Sequence, residues 1–160
     1  MGIKGSNRGI SRVVLPQATH RAITAFFETE ARQVPPNESP FEDLPLRLTQ
    51  HLSGIPQEFP DRVYLPDATP FYISIWKTVR HIPQGQTRSY AWVAQQVASP
   101  AAARAVGQAM RNNPVPIIIP CHRVIGSDGS LHGFSGGLWL KRRLLEIESF
   151  NPSSSGNSAI

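Results

Sequence analysis

Asn112-Asn113-Pro114-Val115-Pro116-Ile117-Ile118-Ile119-Pro120-Cys121-His122-Arg123-Val124 is an apolar run stiffened by three prolines and closed by the only cysteine of the chain. A lone thiol has no disulfide partner within its own chain, so its value lies in packing or in chemistry. A histidine follows it directly, and a turn signal comes soon after. That is how a nucleophile is mounted on a rigid, mostly dry support. Read as an extended strand, the run points Cys121 and His122 to opposite faces, which makes a bridging water a plausible link between them. A free thiol with a pKa of about 8.5 is only a few per cent ionised at neutral pH, so a nucleophilic Cys121 needs a base.

The elements around this run follow from caps and periodicity. Thr69-Pro70 is an N-cap followed by proline in the first turn, where a missing N–H costs nothing. Phe71, Ile75 and Val79 then form one stripe, with Tyr72 and Trp76 beside it, until Ile82-Pro83 ends the helix. Ser89 caps the next helix, with Val93, Ala94 and Val97 inward, and a break at Ser99-Pro100 leads into a helix from about Ala101 to Arg111. Two short helices across a tight break predict a helix-turn-helix. In the second, Ala102, Ala105, Val106 and Ala109 share one face, while Arg104, Gln108 and Arg111 share the other with Gly107 between them. Such a stripe is either a solvated face or one that lets a backbone approach DNA closely.

The last helix is expected from about Gly137 to Ser149, with an apolar stripe of Leu140, Leu144 and Ile147 and with Leu145 further round. Glu148 projects between Leu144 and Leu145, whereas Glu146 points away. A carboxylate inside an apolar arc is costly unless paired, and His122 is the expected partner. Lys141-Arg142-Arg143 reads as a solvated helix face, Arg123 is open to a structural packing or pairing role, and His20, His51, His81 and His132 form no convincing constellation.

The N-terminal part reads as a strand at Ile10–Leu15, a helix capped by Thr19 with Ala22, Ile23, Phe26 and Phe27 inward, and a loop holding Pro35, Pro36 and Pro40. A helix from about Asp43 to Leu52 ending near Gly54 and a strand from Glu58 to Leu65 follow. Pro66–Ala68 is the expected linker. The 160 residues carry a net charge of +5, unevenly divided: residues 1–69 hold 7 Lys+Arg against 8 Asp+Glu, residues 70–160 hold 9 against 3. A basic half suits a polyanionic partner, since each neutralised phosphate releases counterions. No run approaches a membrane span or a signal-peptide core, and no Cys/His cluster has zinc-ligand spacing, so no membrane and no metal are expected. An unpaired thiol without an export signal points to a reducing interior.

Six blocks in order carry a resemblance to the O6-alkylguanine-DNA alkyltransferases, proteins that move an alkyl group from guanine to their own cysteine. They are Thr69-Pro70-Phe71 with Trp76, Ile82-Pro83-Gln84-Gly85, and Thr87-Arg88-Ser89-Tyr90. Ala102-Ala103-Arg104-Ala105-Val106-Gly107, the Asn113–Val124 run and Gly133-Phe134-Ser135-Gly136-Gly137-Leu138 complete the set. Gln84 and Trp92 depart from the pattern. The resemblance implies an α+β chain: a small ribonuclease H-like α/β domain over 1–68, a helical, winged helix-like domain with the helix-turn-helix over 69–150, and a disordered tail over 151–160. Some relatives hold zinc near the N-terminus; the cysteines for it are lacking here.

The resemblance also implies roles. Cys121 is the acceptor, His122 and Glu148 form a Glu-His-water-Cys relay, Asn113 is a hinge bonded near the thiol, and Tyr90 donates a proton as guanine leaves. The partner is double-stranded DNA containing O6-alkylguanine, entered from the minor groove by the second helix of the pair. Its base must be flipped out, with Arg104 filling the vacated stack. Ala103, Gly107, Met110, Arg111, Arg123, Val124, Phe134, Ser135 and Gly136 are the further DNA- and base-facing candidates. No cofactor is implied, and a cytoplasmic monomer from a prokaryote is expected. Three other readings remain open: a lesion-binding sensor, which in a sister family has the cysteine replaced; a Cys-His-Glu hydrolase; and a DNA-binding regulator using the helix pair alone.

Overall fold

The computed structural model describes residues 2–15, 41 and 43–149. The helix expected after Thr19, the proline-rich loop and the tail 151–160 lie outside the described residues. β1 (Gly2–Ser6) and β2 (Gly9–Val14) form an antiparallel hairpin, with Ser6 opposite Gly9 and a register shift between Lys4 and Gly5. β2 matches the expected strand. β1 is an addition, since its five residues include one large apolar side chain and so give little alternation. Gly9 adopts φ +141°, and a Cβ there would stand 2.5 Å from the Arg62 carbonyl oxygen. Its bare backbone lets Ile10 exchange bonds with the 62–64 segment: the Ile10 N–H donates to Arg62 O and the Tyr64 N–H to Ile10 O.

The strand expected from Glu58 to Leu65 is reduced to a single bridge between Val63 and Ile10. Arginines explain why. Arg47 takes the Glu58 carbonyl, and Arg80 takes those of Phe59 and Asp61, so these acceptors are not free for a sheet ladder. Pro60 has no N–H to offer one. Arg47 also holds Asp43 and Asp61, tying α1 (Leu44–Leu52) to this segment.

α2 (Pro70–Arg80) begins as its sequence requires, with Thr69 Oγ1 accepting from the Tyr72 N–H and Pro70 in the first turn. After β3 (Arg88–Ser89), Ser89 Oγ accepts from the Trp92 N–H at the start of α3 (Tyr90–Gln96). The break is sharp because Ala98 takes φ +53°, and a single 3-10 turn, Pro100–Ala102, precedes α4 (Ala103–Arg111). The α3–α4 pair is the helix-turn-helix. Trp76 Nε1–H donates to Ala109 O at 2.9 Å, fixing α4 against α2. Ile75, Val79, Val93, Ala94, Val106 and Ala109 make the buried core between these helices.

The run from Pro114 to Pro120 is not a strand. Pro114, Pro116 and Pro120 have no N–H for a ladder, so the chain coils: the Ile119 N–H returns to Val115 O, and Ile117 is forced to φ +74°, a rare value for a β-branched residue. Cys121–Arg123 is one turn of 3-10 helix rather than extended chain. β4 (Val124–Ile125) then pairs in parallel with β3, setting Val124 opposite Arg88 and Ile125 opposite Ser89. That pairing brings Tyr90 to the catalytic turn. The hairpin is fastened there too, by the Val13 N–H on Pro114 O at 2.8 Å. α5 (Gly137–Ser149) spans the expected helix. No helix among the described residues is long and apolar enough to cross a membrane.

Candidate active site

Asn113 clamps the thiol. Its Nδ2 donates to Ile119 O at 2.8 Å and to Cys121 Sγ at 3.1 Å, while its Oδ1 accepts from the Val115 N–H. One side chain thus holds both ends of the proline-rich coil and hydrogen-bonds the sulfur. Cys121 is buried, and burial pushes its thiol up to about 11, against the opposing effects of the Asn113 bond and the Lys141 charge. Only on the order of one such thiol in ten thousand is ionised at pH 7, so attack requires a base acting with it.

The candidate base stands next in sequence. The fully buried His122 places Nε2 2.7 Å from Glu148 Oε1 and leaves Nδ1 without a partner among the described residues. With the Nε2 proton on the carboxylate, Nδ1 carries the lone pair that can accept a proton. Burial lowers the pKa of His122 and Glu148 opposes that, so the ring is neutral near pH 7. Glu148 is 2 % exposed, and the expected His–Glu pair is present. Burial alone would raise its carboxyl; the bonds from His122 and Arg123, with His51 Nε2 close by at 3.3 Å, outweigh burial and hold it well below the usual carboxylate range.

The structure separates the two readings of Arg123. Placed among DNA-facing residues by resemblance and also read as a packing or pairing residue, it is buried and paired, giving Nε to Glu148 Oε2, Nη2 to Oε1 and Nη1 to Ile82 O. Its 3-10 turn folds it back beneath the site. It is the counter-charge that keeps a buried carboxylate ionised. His51, which the sequence left without a role, also belongs here: its Nε2 lies 3.3 Å from Glu148 Oε1. A signal existed, because His51 completes the buried face Leu44, Leu48, His51 of α1. His51, His122 and Glu148 bring three donor atoms within 4.8 Å of one another. Both carboxylate oxygens already carry the Arg123 cation, so the cluster is poorly suited to a metal ion.

Lys141 departs from expectation. It is 1 % exposed, not a solvated residue, because it falls on the buried stripe Leu140, Lys141, Leu144, Ile147 and Glu148 of α5. Its Nζ donates to Val124 O at 2.7 Å, to His132 O at 3.2 Å and to Tyr90 Oη at 3.4 Å. Desolvation brings this ammonium down to about 8, while the Cys121 charge works the other way. The Val124 carbonyl, expected to receive the base's amino group, therefore already serves Lys141 with one of its lone pairs. Burial raises the Tyr90 hydroxyl above its ordinary value, as does the Cys121 charge.

Tyr90, Ala103, Arg104, Gly107, Arg111 and His132 line part of an open cleft of about 590 Å³ between α3, α4 and the 126–133 loop. Arg104 and Arg111 are exposed, and a Cβ built on Gly107 meets nothing within 4 Å, so that glycine leaves room on the outer face of α4. Met110 faces the core, and the Phe134 ring stands edge-on to His122 at 6.5 Å. Ser135 and Gly136 lie on a neighbouring hollow shared with Arg111 and Asn113.

Fold and site together define a protein that holds one buried thiol, bonded by Asn113 and followed by a His–Glu pair, beside two short helices joined by a tight turn. Residues 70–150 match the family described as 6-O-methylguanine DNA methyltransferase, DNA binding domain. A methylated-DNA–protein-cysteine methyltransferase of Methanosarcina barkeri is 44% identical over 115 residues, 72% of each chain. One from Mycobacterium bovis is 41% identical over 128 residues, 80% of this chain and 77% of the relative. The crystal structure of the Mycobacterium tuberculosis OGT in complex with DNA superposes with a TM-score of 0.74 at 36% identity, covering 92% of this chain and 84% of that one. The chain belongs to the methylated-DNA–protein-cysteine methyltransferase family.

Proposed function

We propose that the chain repairs double-stranded DNA by moving the alkyl group of O6-alkylguanine, methyl by preference, irreversibly onto Cys121. The observation that carries this reading is the buried Cys121 held by Asn113, followed by His122 on an ionised Glu148. His122 Nδ1 takes the thiol proton through a bridging water as sulfur attacks the alkyl carbon. The S–C bond forms, the C–O6 bond breaks, and the leaving guanine takes a proton from Tyr90, replaced from His122 through solvent. Lys141, close to the Tyr90 oxygen, favours the phenolate at that moment. The product is a thioether that no group in the chain can cleave, so each molecule reacts once.

DNA lies along α4 with its minor groove toward Ala103, Gly107 and Arg111. Arg104 fills the gap left by the flipped nucleotide, at an unstacking cost of a few kcal/mol that phosphate contacts offset. Met110, Phe134, Ser135 and Gly136 wall the base, and the carbonyls of Cys121 and Val124 accept from its amino group. The N-terminal 1–68 segment is read as ribonuclease H-like and the 69–150 segment as winged helix-like, working in the cytoplasm as a monomer without a cofactor.

The test follows the lesion. Excess protein incubated with a duplex holding one O6-methylguanine should leave unmodified guanine, and limiting protein should restore one base per molecule. Cys121→Ala should bind the lesion and restore none. Intact lesions together with selective binding by the unaltered protein would make it a sensor instead; intact lesions with no binding would remove the repair reading altogether.

A further inference from the structure

The proposed reaction uses Cys121, His122, Glu148, Arg123, Asn113, Tyr90 and Lys141, yet a further titratable side chain touches the relay from outside the catalytic domain. His51 sits on α1, fully buried, its ring edge-on to Phe59 at a centroid distance of 5.5 Å. Its Nε2 is 3.3 Å from Glu148 Oε1, the same oxygen that His122 engages at 2.7 Å. Neither His51 nitrogen has an aligned hydrogen-bond partner among the described residues. The nearest acceptor for a proton on Nε2 is thus the Glu148 carboxylate, within hydrogen-bond distance though not well aligned, and a buried imidazole that turned away from it would leave both nitrogens unsatisfied.

The charged groups around it are few. α5 contributes Glu148, and the catalytic turn contributes His122 and Arg123. Arg47, one turn earlier on α1, is committed to Asp43 and Asp61, with its guanidinium 5.7 Å from the Phe59 ring centroid. Among the described residues the acceptor that His51 faces is the relay carboxylate.

We propose that His51 is a positioning residue for the relay: it shares the Glu148 carboxylate with His122 and so limits how firmly that carboxylate holds a proton on His122. Glu148 Oε1 already accepts from His122 and Arg123, and a third N–H directed at it leaves less negative charge to offer His122. His122 must be neutral to accept the thiol proton, and a carboxylate that pulled harder would keep it charged to higher pH. Burial comes first among the influences lowering the His122 pKa, Glu148 opposes it, and Arg123 and His51 add to the lowering. The N-terminal segment thereby takes part in the chemistry of the catalytic domain rather than only covering it.

This inference rests on the repair reading and is tested by single-turnover methyl transfer from saturating O6-methylguanine duplex, followed from about pH 5.5 to about 8.5. Three proteins are compared: unaltered, His51→Phe, which keeps the ring against Phe59 without a donor, and His51→Gln, which restores an N–H. The Phe variant should show its acid limb moved to higher pH, with rates about threefold lower at the acid end, the factor for about half a pKa unit, and equal rates at the alkaline end. The Gln variant should return to within about twofold of the unaltered profile, and lesion affinity should be the same in all three. Superimposable Phe and unaltered profiles overturn the proposal. So does a Gln profile displaced as far as that of Phe, which would make the effect one of packing. Nitrogen-15 spectra of the unaltered protein give a separate answer: a proton on His51 Nε2 is expected, and one on Nδ1 instead excludes the shared carboxylate. Should the unaltered protein transfer no methyl, the repair reading fails, and the tautomer alone decides the contact.

Discussion

Replacing Glu148 by glutamine keeps the shape of the side chain and removes its charge. In the native site Oε1 accepts from His122 at 2.7 Å and from Arg123 Nη2 at 2.8 Å, and Oε2 accepts from Arg123 Nε at 2.9 Å. A carboxamide offers one acceptor and turns its NH2 against a guanidinium or an imidazole N–H, so at least one buried donor faces another. Breaking a buried ion pair from one side costs about 3–5 kcal/mol, because the surviving charge stays desolvated. For a chain of this size 1 kcal/mol corresponds to about 2–4 °C in Tm, which gives a fall of about 6–20 °C in calorimetry for Glu148→Gln. The same variant deprives His122 of the group that fixes its tautomer and supports its basicity. Methyl transfer in a rapid-quench single turnover should slow by about 10²–10⁴. A Tm within about 2 °C of the native value, with a rate within about threefold, would show that neither role is real.

Asn113→Ala leaves Ile119 O and the Val115 N–H buried without their partner, each at about 1–3 kcal/mol, and removes the donor that lowers the thiol pKa; denaturant melts should register the loss and a thiolate absorbance titration should move upward. Arg104→Ala, at an exposed position, should change stability by no more than about 0.5 kcal/mol. It should also slow transfer by about tenfold or more, since the flipped state loses its support; a normal rate would remove Arg104 from the flipping step. Stability should fall steadily in acid. His122 titrates lower in the fold than its ordinary value of about 6.5, so below that pH the unfolded chain gains a proton that the native one does not. The stability lent by Glu148 is present above about pH 4.3 and is lost as pH falls further toward its depressed folded value; a flat urea midpoint from about pH 7 to about pH 3.5 would contradict both signs. Complete methylation of Cys121 should lower stability by about 1–3 kcal/mol, because an added carbon on a buried sulfur must push packed neighbours aside, and equal Tm values before and after would refute this.

Local chemistry explains what could be read from the chain. Thr69-Pro70 and Ser89 cap their helices with the bonds that such residues make, and Glu148 lies inside the Leu144–Ile147 arc where 3.6-residue periodicity puts it. Lys141 shares that stripe, and the same periodicity applied without regard to charge would have buried it. His51 was legible in the same way as the third member of the Leu44–Leu48 face. What it meets there, a carboxylate 97 residues later, depends on the packing of α1 against α5 and is written in no local pattern. The Cys121–Arg123 turn, and with it the partner of Arg123, escaped for a third reason. An apolar run between prolines looks like a strand, yet each proline removes a ladder donor, and the chain coils around Asn113 instead. The short Val63 bridge has a comparable origin, with arginine side chains taking the carbonyls of its neighbours.

The central claim is that Cys121 itself receives the alkyl group, once. The protein is incubated with excess duplex bearing O6-methylguanine, and intact and peptide masses are taken at increasing times. The account predicts a gain of one methyl on the peptide holding Cys121, reaching one per protein and going no further. A methyl on any other residue, continued loss of lesions after every Cys121 is occupied, or an unchanged mass while the lesions disappear would contradict it.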